Sequence, residues 1–187
     1  MTTTETASAL AAAPRLSRRA ALLLLAGALS GCSVGTGRLF GGGLETSPGV
    51  VDSRRAARMI SSYRGSRGLG SVRASGTLDR IAAAQAKAMA KADTLSHRVP
   101  GQPAFRQRIA AGGYKASLVA ENVGAGYKSL DSAIARWRAS PGHDKNLLLP
   151  GVTEIGIAVA NVPESRYGSY WALVLAAPYT GTASLVR

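Results

Sequence analysis

The chain has two histidines, and neither falls in a regular apolar stripe. His97 closes Leu95-Ser96-His97 at the end of an expected helix, and His143 follows the turn residues Ser140-Pro141-Gly142. Glu121 sits in Ala120-Glu121-Asn122-Val123, an otherwise uncharged stretch, and Glu154 opens an expected strand on the face shared with Gly156 and Ala158. Two neutral imidazoles and a carboxylate can hold Zn²⁺, with water completing a tetrahedral site. That makes His97 and His143 candidate metal ligands, with Glu121 or Glu154 as general base on a bound water. No helical H-E-x-x-H pattern marks a zinc protease. A plainer alternative stays open: histidines at helix ends and turns bond nearby carbonyls, and Glu121 could satisfy backbone N–H groups of a loop over Asn122 to Gly126.

These side chains need elements to position them. From Asp52 to Tyr63, Ala56, Met59, Ile60 and Tyr63 recur at helical spacing, and Gly65 and Gly68 end the run. A second helix is expected from a Thr77 cap, with Asp79 at its positive end and Leu78, Ile81, Met89, Ala92 and Leu95 as one stripe; Pro100 prevents continuation. Phe105 to Ala111 reads as a short helix closed by Gly112-Gly113. Ser129 can cap a third long helix with Leu130, Ala133, Ile134 and Trp137 inward, stopped at Ser140-Pro141-Gly142. Beyond it the period changes to two: Ile155, Ile157 and Val159 alternate with small residues, a turn follows near Pro163 to Gly168, and Tyr170 to Ala176 returns as a β-hairpin. Both faces of each strand are apolar or small, so the fold class is α+β, an α/β/α sandwich with a small antiparallel sheet between helical layers. Trp137, Tyr170 and Trp171 are expected in the core.

The N-terminus reads as an address. Basic residues 15–19 precede the apolar residues 20–29, and Leu29-Ser30-Gly31-Cys32 follows at once, the layout of a signal peptide. Ten apolar residues are about half of what a spanning helix needs. The leucine-small-small-cysteine run resembles a lipobox, in which Cys32 is acylated by palmitate-type chains and becomes the first mature residue. Two or more such chains anchor stably. Ser17-Arg18-Arg19 is faintly similar to a twin-arginine export signal, and Ser33 replaces the aspartate of an inner-membrane retention signal, which favours the outer membrane in a Gram-negative cell. The expected division is a signal peptide over 1–31, lipidated Cys32 and a glycine-rich tether over 32–49, and one domain over 50–187. Cys32 is the single cysteine, so no intrachain disulfide can form.

The formal charge is +13, of which about +11 remains after residue 31. For an exported chain this favours anionic headgroups or cell-wall polymers over nucleic acid, although arginine-rich composition alone could produce it.

Six ordered blocks carry a resemblance: L-S-H, F-x-x-R-I-x-x-x-G-Y, A-E-N-V-x-x-G, W-x-x-S-P-G-H-x-x-N-L-L-x-P, T-E-I-G-I-A and Y-W-A-L-V-L-A. Together, over about Asp52 to Pro178, the chain resembles the bacterial branch of the CAP superfamily of cysteine-rich secretory proteins, antigen 5 and pathogenesis-related proteins. The resemblance implies a solvent-facing cleft lined by two histidines and two acids. His97, Glu121 and His143 match three positions; the fourth, acidic in eukaryotic members, falls at Ser140. Glu154 is a candidate to take over part of its role.

The resulting reading leans to a monomeric, non-enzymatic module in the cell envelope. Its cleft or surface would hold a lipid, a cell-wall fragment or an envelope protein, with no nucleic-acid partner. The alternative is a zinc-dependent hydrolase using His97, His143 and Glu121, and a third is a basic protein that binds electrostatically without any cleft.

Overall fold

A computed structural model describes residues 47–181. The export segment, Cys32 and most of the proposed tether lie outside the described residues. Among the described residues, no helix is long and apolar enough to cross a membrane.

Asp52 caps the first helix, α1 (Ser53–Gly65), by accepting the Arg55 N–H at 2.9 Å. Ala56, Ile60 and Tyr63 face inward, as their spacing predicts. The next helix, α2 (Gly76–Lys91), starts at Ser75 rather than Thr77. It also ends earlier than expected: Asp93 takes a left-handed φ of 45° and turns the chain away, leaving Ala92 and Leu95 exposed. His97 therefore belongs to the loop beyond the helix. The short α3 (Phe105–Ala111) and α4 (Leu130–Ala139) match their expected spans, with Ser129 capping α4 through the Ser132 N–H. Pro141, expected to end α4, instead starts a further helix, α5 (Pro141–Leu147). Proline is well suited to a first helical turn, where its missing N–H costs nothing.

The sheet has strands β1 (Ser47–Gly49), β2 (Arg73–Ala74), β3 (Ala116–Ala125), β4 (Glu154–Val162) and β5 (Gly168–Pro178). Its order is β1-β4-β5-β3, antiparallel throughout, while β2 pairs in parallel with the start of β4 on the edge that β1 also uses. Ser47–Gly49, read as tether in the sequence, are thus part of the sheet. Between β1 and β2 the Ile157 N–H has no strand partner, and the Asp79 carboxylate of α2 accepts it at 2.9 Å.

Two cores flank the sheet. Ile155, Ile157, Trp171, Leu173 and Leu175 pack against α1, α4 and α5 on one face. Ala160, Tyr170, Ala172, Val174 and Ala176 pack against α2 and α3 on the other. This is the expected α/β/α sandwich. Gly156 sets the distance of α2: a Cβ there would lie 2.0 Å from the Leu78 carbonyl carbon.

Candidate functional site

β3 is the element that organises the site. Ala116–Ala125 contains a central Glu121-Asn122 pair, and strand alternation sends the two side chains to opposite faces. Both are buried, so each needs a partner.

Glu121 turns toward α3 and the loop after α2. Its Oε1 lies 2.9 Å from His97 Nδ1 and its Oε2 lies 2.5 Å from Arg108 Nη2. An ionised carboxylate only accepts, so His97 Nδ1 carries the proton that faces Glu121, and Nε2 points away from the carboxylate. The His97 side chain is 54% exposed. Its backbone is held as well: Arg108 Nη1 donates to the carbonyls of His97 and Pro103, both at 3.2 Å, and Gln85 Nε2 donates to the Ser96 carbonyl at 2.7 Å. The loop reading of Glu121 does not hold, because Asn122 to Ala125 are strand residues paired with β5.

Asn122 faces the other way and fixes α5. Its Nδ2 donates to the His143 carbonyl at 3.0 Å, and its Oδ1 accepts from Asn146 Nδ2 at 2.9 Å. Asn146 Nδ2 also reaches the Glu121 carbonyl at 3.1 Å. His143 Nδ1 lies 3.0 Å from Ser140 Oγ, so the position that lacks the fourth acid orients an imidazole instead. Burial, and secondly the charge of nearby His97, hold the His143 imidazole below its usual value. The two histidines are thus within electrostatic reach of one another.

His143 and Ser140 open onto a cavity of about 530 Å³ that is also lined by Tyr127, Lys128, Ser132 and Arg136. Tyr127 reaches this place because Gly124 has no side chain: a Cβ there would sit 2.2 Å from the tyrosine ring. The ring meets Trp137 edge to face at 6.1 Å, and Trp171 Nε1 donates to the Tyr127 carbonyl at 3.0 Å.

Glu154 is not part of this arrangement. It shares the α2–α3 face with Glu121 but lies on β4, across β5 from β3. Its carboxylate accepts from the Tyr114 hydroxyl at 2.9 Å and pairs with Arg73, so it replaces no acid beside the histidines. Trp137, Tyr170 and Trp171 are buried core residues, as expected.

The donor set does not fit a resident zinc ion. Among the described residues, no three His, Cys, Asp or Glu side chains come together to share a metal. Both Glu121 oxygens are engaged, which leaves two imidazoles where a catalytic zinc site supplies three protein ligands.

The sequence reading missed Arg108, Asn122 and Asn146. All three stand inside the motif blocks, but only Asn122 carried a local signal, as a polar residue in the mostly apolar Ala116–Ala125. Arg108 and Asn146 are hidden among the other polar residues of α3 and α5. The chain is 28% identical over 118 residues to the uncharacterized protein YkwD of Bacillus subtilis (strain 168), a match covering 63% of this chain and 44% of that relative. An extracellular protein containing a SCP domain from Bacillus anthracis str. Ames superposes with a TM-score of 0.58 at 21% identity, over 66% of this chain and 39% of that one. An outer surface protein from Borrelia burgdorferi gives 0.59 at 18% identity, over 71% of this chain and 99% of that one. These two likenesses establish the fold alone. The model of the CAP cysteine-rich secretory protein family matches residues 57–175, and the chain belongs to that family.

Proposed function

We propose that this chain is an extracytoplasmic, lipid-anchored CAP-domain protein whose His97–His143 cleft binds a ligand or partner and does not turn it over. The observation that carries the reading is the engagement of Glu121. A general base needs a free lone pair aimed at its water, whereas this carboxylate is buried between Arg108 and His97. No observation favours the metal hydrolase.

The location rests on the signal-like residues 15–29 followed by Cys32. It is supported by relatives described as an extracellular protein and an outer surface protein. Replacing Cys32 by Ser should move the chain from the membrane to the soluble fraction, and a variant that stayed on membranes would remove the anchor from the proposal.

The binding reading is tested with zinc and with envelope extracts. The full chain and a His97→Ala/His143→Ala variant should bind zinc equally weakly, while extracted envelope lipid or cell-wall fragments should shift cleft resonances saturably in the former only. Stoichiometric zinc lost in the variant, with turnover abolished by chelator, would replace binding by hydrolysis.

A further inference from the structure

Several basic side chains of the domain are already matched. Arg55 meets both oxygens of Asp131 at 2.8 Å, Arg73 pairs with Glu154, Arg108 pairs with Glu121, and Arg64 is buried against backbone carbonyls. Lys128 and Arg136 differ in two ways. Neither side chain has a hydrogen-bond or ion-pair partner among the described residues, and both line the same concave space as His143 and Tyr127.

No carboxylate lines that cavity. The acids nearest in sequence on the flanking helices turn elsewhere, Asp131 to Arg55 and Asp144 to the Tyr63 hydroxyl at 2.7 Å. The fourth position of the family set, acidic in eukaryotic members, lines this cavity as Ser140. Two fixed cations thus face a cavity with no fixed anion, in a volume suited to a small ligand.

Neutral donors complete the set. The Tyr127 hydroxyl has no hydrogen-bond partner among the described residues, and Arg136 is close enough to influence its ionisation. A Ser140 hydroxyl that donates to His143 Nδ1 leaves the Nε2–H of the neutral ring as donor.

We infer that this cavity is the anion-binding end of the cleft and takes the phosphate of a phosphomonoester between Lys128 and Arg136, with Tyr127 and His143 as neutral donors; the inference rests on the binding reading above. Charge and valence favour phosphate over carboxylate. A phosphomonoester brings about 1.5 to 2 negative charges and three acceptor oxygens, matching two cations and two further donors. A carboxylate brings one charge and two oxygens. Arginine supplies a planar fork and lysine a movable point charge, a pairing suited to a tetrahedral anion. The same group occurs on soluble sugar or glycerol phosphates and on the headgroup of a phosphatidic acid.

The experiment titrates the full chain with glycerol 3-phosphate at constant ionic strength, by calorimetry and by NMR. One saturable site is expected. Lys128→Ser/Arg136→Ser should weaken it by about tenfold or more, since each charge-assisted hydrogen bond is of that order. Lys87→Ser/Lys91→Ser, which removes the same charge from exposed positions on α2, should leave affinity unchanged. Acetate and glycerol should bind far more weakly. Equal affinity in both double variants, or no saturable binding to the unaltered chain, overturns the inference. Competition by phosphatidic acid vesicles but not phosphatidylcholine vesicles identifies a lipid source, and failure to compete identifies a soluble one. If glycerol 3-phosphate fails while envelope extract still shifts cleft resonances, only the phosphate assignment falls; if neither acts, the binding reading falls with it.

Discussion

Arg108 Nη2 lies 2.5 Å from Glu121 Oε2, and neither side chain is more than 7% exposed. The pair joins α3 to β3 underneath His97. Removing one partner of a buried pair leaves an uncompensated charge, which typically costs about 3–5 kcal/mol. Arg108→Leu should therefore lower stability by about that much, read as a reduced urea midpoint with unchanged slope. Arg108→Leu/Glu121→Leu should recover much of the loss, because it leaves no charge unmatched, yet should free the His97 ring. A double variant no more stable than the single one would show that the pair has a different role.

The His143 imidazole is depressed by burial and then by His97. Between its folded value and the ordinary unfolded one, the unfolded chain binds the extra proton, so stability rises with pH there. The His143 contribution is complete above the unfolded value near 6.5 and is lost as pH falls through the lower folded value. Urea midpoints measured with chelator present from neutral pH downward should fall, and His143→Gln should flatten that fall. An identical slope in the variant would place the acid sensitivity elsewhere.

Two glycines should respond differently to alanine. At Gly156 the new methyl would lie 2.0 Å from the Leu78 carbonyl carbon and 2.3 Å from the Asp79 nitrogen, so α2 itself must lift from the sheet. At Gly124 the obstacle is the Tyr127 ring, at 2.2 Å, which can rotate aside. Overpacking costs typically about 1–3 kcal/mol. Gly156→Ala should stand at or above the top of that range, and Gly124→Ala near the bottom. Because Tyr127 lines the His143 cavity, Gly124→Ala should alter ligand response more than stability. Equal losses of stability at the two positions would contradict this ranking.

The helices and the hairpin were legible because their apolar residues keep a clean period, as in Ala56, Ile60 and Tyr63 or Ile155, Ile157 and Val159. β3 was not, since Glu121 and Asn122 interrupt its apolar pattern, and a polar strand centre resembles a loop until its partners are known. Those partners come from α3 and α5, as many as 25 residues away along the chain. α5 was hidden because Pro141-Gly142 marks a stop as readily as a start. The histidines stood out by type and motif. Glu154 looked equivalent to Glu121, and what separates them is Tyr114 and Arg73, which long-range pairing brings to it and which no local spacing reveals.

Arg64 was also invisible in the sequence, because on α1 it reads as a surface cation following Tyr63. It is 1% exposed and has no carboxylate partner among the described residues. Its guanidinium donates to four carbonyls: Gly70 at 2.8 Å, Leu147 at 2.8 Å, Leu149 at 3.0 Å and Val152 at 3.4 Å. Leu147 is the last residue of α5, the helix that carries His143 and Asn146, so Arg64 fixes the far end of the element that Asn122 fixes at its start. Lysine retains the charge but has no planar fork, and cannot reproduce donors spread over four acceptors. Each buried carbonyl left without a donor costs about 1–3 kcal/mol. Arg64→Lys should therefore lose several kcal/mol in urea unfolding despite conserving charge, and the His143 ring resonances should broaden as α5 loosens. If the lysine variant kept both the stability and the sharp His143 signal, charge alone would account for Arg64, and α5 would be held by Asn122 and Asn146 without it.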